Sequence, residues 1–298
     1  MGRTFSRMLR MAAVGLSIAA ASLPAGQAAS AATAAPLQYQ KAGAPIESSP
    51  AVYIVFWGQQ WQLGWSDVST GSMSIYKSSQ AQTYITDFFK YVGSTSTAWN
   101  SSQQQYCSGV PVGTVNCGNS GTHVASSPVT FGGSWVDTTS PPPPPVVPDN
   151  CAAVVCLNTN GGAANQSNLL AQEAIRAEAH FLGATGYNPN ANFMIMLPKA
   201  TATPGYGVYC AYHSEVIDGN GYFDGYSIVA GHEFAEAETD PFPSAATAWL
   251  DSNGQETGDK CAWITPGTPG GAYNIGPDAG GHHFAVQSLW SNTDMACK

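Results

Sequence analysis

Ala51-Val-Tyr-Ile-Val-Phe-Trp57 is an unbroken run of apolar residues closed by Gly58. Short, and rich in β-branched and aromatic side chains, it reads as a buried strand. A chain that contains such a strand must pack other elements against it. Residues 78–92 supply one, because Ile85, Phe88, Phe89 and Val92 fall at i, i+3, i+4 and i+7 on a single helical face. Asn168–Leu182 reads as a second helix with Gly183 at its C-cap, and Asn192–Leu197 as a second buried strand ended by Pro198. Gly207–His213 alternates as a third strand, and Tyr226–Thr239 is a third helix stopped at Asp240-Pro241. This order predicts an α+β fold: a mixed β-sheet, a few packed helices and long Gly/Ser/Pro-rich loops. The proline run at 140–148 is expected to be a loop within one domain spanning 36–298, and an interdomain linker is the alternative.

The N-terminus fixes the compartment. Arg3, Arg7 and Arg10 precede an apolar stretch from Met11 to Leu23, too short to span a bilayer, and Ala-rich cleavage options follow. Residues 1–31 therefore read as a signal peptide cleaved within about 28–35, giving a secreted, extracellular chain with no membrane segment. Loss of the three arginines leaves seven bases against 19 acids, a net charge of −12. That balance excludes a nucleic-acid partner, which needs a basic field. Seven cysteines in an oxidising compartment predict disulfides, with Cys107–Cys117 and Cys151–Cys156 as short local pairs. Which two of Cys210, Cys261 and Cys297 pair is open.

The third helix carries the chemistry. In Gly231-His-Glu-Phe-Ala-Glu236, His232 and Glu236 stand at i and i+4, one turn apart on one face, and Glu233 sits at its flank. This is the His-Glu-x-x-His metallopeptidase helix with its second histidine replaced by glutamate. Such a zincin-like helix holds Zn2+ through the i and i+4 side chains, with the intervening Glu233 as general base. The same pattern also describes a solvated acidic helix. Two features favour the metal: only 10% of residues are charged, and a second acidic cluster, Asp251 to Cys261, follows. That cluster offers two candidates for the third ligand. Asp259 is preferred, beside Cys261, and Glu256 is the alternative ligand or an acceptor for the His232 ring N–H.

Gly231–Pro241, Trp249–Asp251, Glu256–Trp263 and Phe284–Asn292 together resemble a group of secreted bacterial zinc-peptidase-like proteins with a His-Glu-x-x-Glu helix. Those are distantly similar to the plant phosphate-induced or exordium family, which shares the Val52–Gly58 strand and a terminal cysteine like Cys297. The first resemblance implies a zinc peptidase, and the second implies a shared fold without a shared activity.

The expected function is thus a secreted metal-dependent hydrolase, a monomer acting on a peptide or protein substrate. His213 or Tyr212 is a candidate to stabilise the tetrahedral intermediate. The alternative is a non-catalytic exordium-like protein that binds carbohydrate, cell wall or protein, with Trp57, Trp61 and Trp65 as stacking surfaces. A third option pairs Glu233 and Glu236 as metal-free acid and base. His282-His283 reads as a solvated loop pair, and Asp218–Asp224 as a hairpin turn with only a hint of a calcium loop.

Overall fold

A computed structural model describes residues 35–64, 66–68, 75–94, 98–124, 129–139, 162–184, 186, 188, 190–196, 224–243, 246–262, 264–265 and 267–298. The Ala51–Trp57 run is strand β1. It is followed by helix α1 (Ser78–Ser94), strand β2 (Thr130–Asp137), helix α2 (Gly162–Leu182) and strand β3 (Ala191–Met196). Helix α3 (Asp224–Thr239) and the antiparallel strands β4 (Tyr273–Ile275) and β5 (Phe284–Val286) complete the frame of the site. The chain is α+β, as its element order predicts.

Strand β1 lies between β2 and β3 and runs parallel to both. Antiparallel pairing occurs in separate two-stranded ladders, so the mixture is between sheets and not within the central one. A central parallel strand is buried on both faces, which is why its sequence shows no polar alternation. Period-2 geometry still divides its side chains. Val52, Ile54 and Phe56 enter one cluster with Met194 and Met196 of β3, while Val55 and Trp57 enter the opposite one with Phe193 and Ile195. Ile85, Phe88, Phe89 and Val92 of α1 cover the first face, together with Ala230, Phe234 and Ala235 of α3. Ala174 and Ala177 of α2 cover the second. The β1-to-β2 and β2-to-β3 crossovers run in opposite directions across the sheet. Crossovers of one hand then put α1 and α2 on opposite faces, as found. Where β1 meets β2 the register slips at Val52/Tyr53. Gly132 accommodates the slip, since a Cβ there would stand 2.2 Å from the Tyr53 ring.

A second core lies around Tyr39, Tyr106, Trp249 and Trp290, stapled by the Cys107–Cys117 disulfide. A second disulfide joins Cys261 to Cys297 and settles that pairing. The expected signal segment, the proline run, Cys151, Cys156 and Cys210 lie outside the described residues. So does the strand expected at 207–213. No described helix is long and apolar enough to cross a membrane.

Two acids and one arginine meet where α2 packs on the end of β2. Arg176 bonds Glu173 and also approaches Asp137 Oδ2 at 3.3 Å, and both carboxyl side chains are fully buried. Burial first, and the neighbouring Asp137 second, push the Glu173 pKa up to about 7, against the pull of Arg176. A raised folded-state pKa contributes stability that is complete below 4.5 and is lost as pH rises through about 7. Stability should therefore fall between pH 5 and pH 8, by up to about 3 kcal/mol. Glu173→Gln, which cannot ionise, should flatten that slope in urea unfolding at the two pH values. Parallel slopes in variant and wild type would contradict the assignment.

Candidate metal centre

Helix α3 turns Ala230, Phe234 and Ala235 into the sheet-side core. Gly231 lets the helix lie against aromatic rings, since a Cβ there would be 3.1 Å from Trp99 and 3.3 Å from Phe88. The i, i+4 geometry then points His232 and Glu236 away from that core and toward the 251–261 loop. Both are nonetheless buried, because the loop folds over them.

Three devices hold the loop. Lys260 Nζ bonds Asp251 Oδ2 at 2.9 Å with both side chains fully buried, and the ammonium also lies 4.3 Å from the Trp290 ring. Cys261–Cys297 ties its end to the C-terminal strand Ala296–Cys297. The Asp259 backbone N–H donates to Glu236 Oε1 at 3.0 Å, clipping the loop directly to α3. Asp259 is thereby brought to the ring.

His232 Nε2 stands 3.1 Å from Glu236 Oε1 and 3.7 Å from Asp259 Oδ1. One donor atom from each of His232, Glu236 and Asp259 lies within 4.8 Å of the others. His232 and Glu236 side chains are 8% and 11% exposed but Asp259 is 37% exposed, so the cluster opens to solvent on the Asp259 side. Glu256 is outside this group. Its backbone N–H reaches Asp259 Oδ2 at 3.4 Å. Nor does Glu256 accept from the imidazole, the second role open to it: the partner of His232 Nδ1 is Gln287 Oε1 at 3.2 Å. Gln287 Nε2 in turn donates to Gly258 O at 2.5 Å. Gly258 must be bare, because a Cβ would come within 2.8 Å of His232 Nδ1. Nothing in the sequence marks Gln287, an amide 55 positions after His232.

Negative charge is crowded here. Burial pushes Glu233 up to about 7, aided by Glu236 and Asp259. Burial pushes Glu256 up to about 10, with Glu236, Asp240 and Asp259 adding to it. Burial would lower His232, but Glu236, Glu233 and Asp259 outweigh it and raise the imidazole to about 10. A divalent ion would answer the same repulsion, and imidazole and carboxylate are side chains that ligate such ions. Glu233, next to His232 on α3, is partly exposed and has no hydrogen-bond partner among the described residues.

None of the other sequence candidates among the described residues joins the cluster. Tyr212 and His213 lie outside the described residues, as do residues 218–223 of the calcium-like turn; Asp224 opens α3. Trp57 and Trp61 are buried, the latter donating to Met196 O at 3.1 Å, so they are core residues and not stacking surfaces. Trp65 is outside the described residues. His282 and His283 are exposed, and His282 pairs with Asp278 at 3.1 Å. His123 bonds Gln104 O at 2.7 Å, and His180 stacks on Trp135 with centroids 4.2 Å apart.

Comparison with family models, curated proteins and solved structures gives no match. The functional reading rests on these residues and their geometry.

Proposed function

We propose that the chain is a secreted metal-dependent hydrolase acting on peptide bonds, with zinc held by His232, Glu236 and Asp259. The observation that carries it is the convergence of those three donor groups, from α3 and a loop fastened at three points, beside Glu233, which has no hydrogen-bond partner among the described residues. When bound, zinc supplies Lewis acidity at neutral pH. Glu233 takes the proton of the attacking water on its carboxylate and returns it to the leaving amine nitrogen. Glu236 is engaged by His232 and by the Asp259 N–H, which leaves the proton-carrying role to Glu233 and disfavours the metal-free pairing of the two glutamates. The exposed edge of Asp259 is the side on which a substrate enters. Export agrees with the two disulfides among the described residues. The resemblance to zinc-peptidase-like proteins supports the peptide as substrate. Burial of Trp57 and Trp61 removes two of the three stacking surfaces that favoured carbohydrate binding.

The test is cleavage of a mixed peptide library by the mature chain. Activity should appear with zinc, vanish on chelation and return when zinc is restored. A zinc-loaded chain that cleaves no peptide would overturn the reading.

A further inference from the structure

Gln287 follows β5, a strand fastened to α3 by Ser227, whose hydroxyl donates to Ala285 O at 2.5 Å. Its own backbone carbonyl accepts the Trp99 Nε1–H at 2.8 Å. The side chain is thus presented from a held backbone into the gap between α3 and the 251–261 loop. Its amide orientation follows from its partners. The end beside Gly258 O faces a group that only accepts, so that end is the NH2. The other end is then the carbonyl oxygen, and it faces His232 Nδ1 at 3.2 Å. A carbonyl oxygen only accepts, so Nδ1 carries a hydrogen. The geometry points to Gln287 as the positioning residue of this centre: it accepts the His232 Nδ1–H and so holds the ring with Nε2 facing Glu236 and Asp259, and it fixes the spacing between α3 and the loop through Gly258.

The spacing role follows from connectivity. Gly258 immediately precedes Asp259, so one side chain spans the two elements that contribute the three donor groups. The bare Cα of Gly258 is what lets the loop backbone approach the imidazole closely enough for that span. Ring partners of this kind set tautomer and orientation in metal sites and change metal affinity by about 10–100-fold.

The inference rests on the metal reading, so its test has one readout with zinc and one without. Gln287→Leu removes acceptor and donor; Gln287→Glu keeps the acceptor toward His232, loses the bond to Gly258 and sets a charged oxygen against that carbonyl. Zinc affinity, measured by chelator competition, should fall about 10–100-fold in Gln287→Leu, and Gln287→Glu should lie between it and wild type. In 15N NMR of the imidazole, the Nδ1–H should be hydrogen-bonded and protected from solvent exchange in wild type and Gln287→Glu, and should exchange faster in Gln287→Leu, in zinc-loaded and metal-free chains alike. Thermal melts check that each variant folds. A Gln287→Leu chain that binds zinc as tightly as wild type, or a Gln287→Glu chain as weak as Gln287→Leu, would overturn the assignment. Should wild type bind no zinc, the proposed function fails, and the metal-free spectra still decide: an Nδ1–H whose exchange is unchanged by Gln287→Leu overturns the positioning role, and one whose protection is lost with it upholds the role.

Discussion

Glu233→Gln is expected to leave fold and zinc content intact and to slow peptide cleavage by about 10²–10⁴-fold. The exchange preserves side-chain size and nearly preserves helix propensity. Glu233 lies outside the three donor groups, so its loss removes no ligand. What it removes is a carboxylate next to His232 on α3 that has no hydrogen-bond partner among the described residues. An amide cannot accept the water's proton at neutral pH, and the leaving amine then departs without a donor. Circular dichroism and metal analysis should match wild type while kcat collapses. A variant that cleaves at the wild-type rate would show that Glu233 is only a solvated flank of α3.

Asp251→Ala is expected to cost about 3–5 kcal/mol of stability, the usual consequence of leaving one buried charge without its partner. Lys260 and Asp251 are both fully buried and 2.9 Å apart. Asp251 Oδ1 also accepts the backbone N–H groups of Asn253 at 2.8 Å and Gln255 at 3.0 Å, which shape the turn before Asp259. Burial raises the Asp251 pKa, but the bonds from Lys260, Gln255 and Asn253 outweigh it and hold the carboxyl below its ordinary value. A depressed pKa contributes stability that is present above the unfolded value and is lost as pH falls through the folded one. The variant should therefore lose part of the acid sensitivity of wild type as well as its urea midpoint. Replacing both partners, as Asp251→Leu with Lys260→Met, should recover part of the loss, because no charge is stranded. It should not recover all of it, since the turn bonds remain broken. A urea midpoint for Asp251→Ala equal to wild type would mean that the pair does not hold the loop.

What the sequence disclosed follows the range of the interactions. The β1 run and the α1 face were legible because continuity and a 3.6-residue period are local properties. The start of α2 was not: Gly162-Ala-Ala-Asn-Gln-Ser167 has no apolar period, and the helix begins there, six residues before the expected Asn168. The burial of Trp57 and Trp61 was ambiguous, since a tryptophan suits a core as well as a sugar platform. Parallel pairing of β1 with both neighbours depends on where α1 and α2 cross the sheet, which no local pattern encodes. The pairing of His232 with Glu236 was readable from i, i+4 spacing alone. The third donor was readable only as a choice between Glu256 and Asp259, because it is set by the Asp251–Lys260 pair and by the Asp259 N–H bond to Glu236. Gln287 reaches His232 through tertiary packing of β5 on α3 and has no spacing signature.

Metal analysis of the purified mature chain, wild type beside His232→Ala, tests the centre most directly. After equilibration with zinc and removal of the excess, wild type should hold one zinc per chain. His232→Ala, which deletes the only nitrogen donor of the group, should hold none while remaining folded. A wild-type chain without stoichiometric metal, or a His232→Ala chain that retains it, would contradict a zinc site at His232, Glu236 and Asp259.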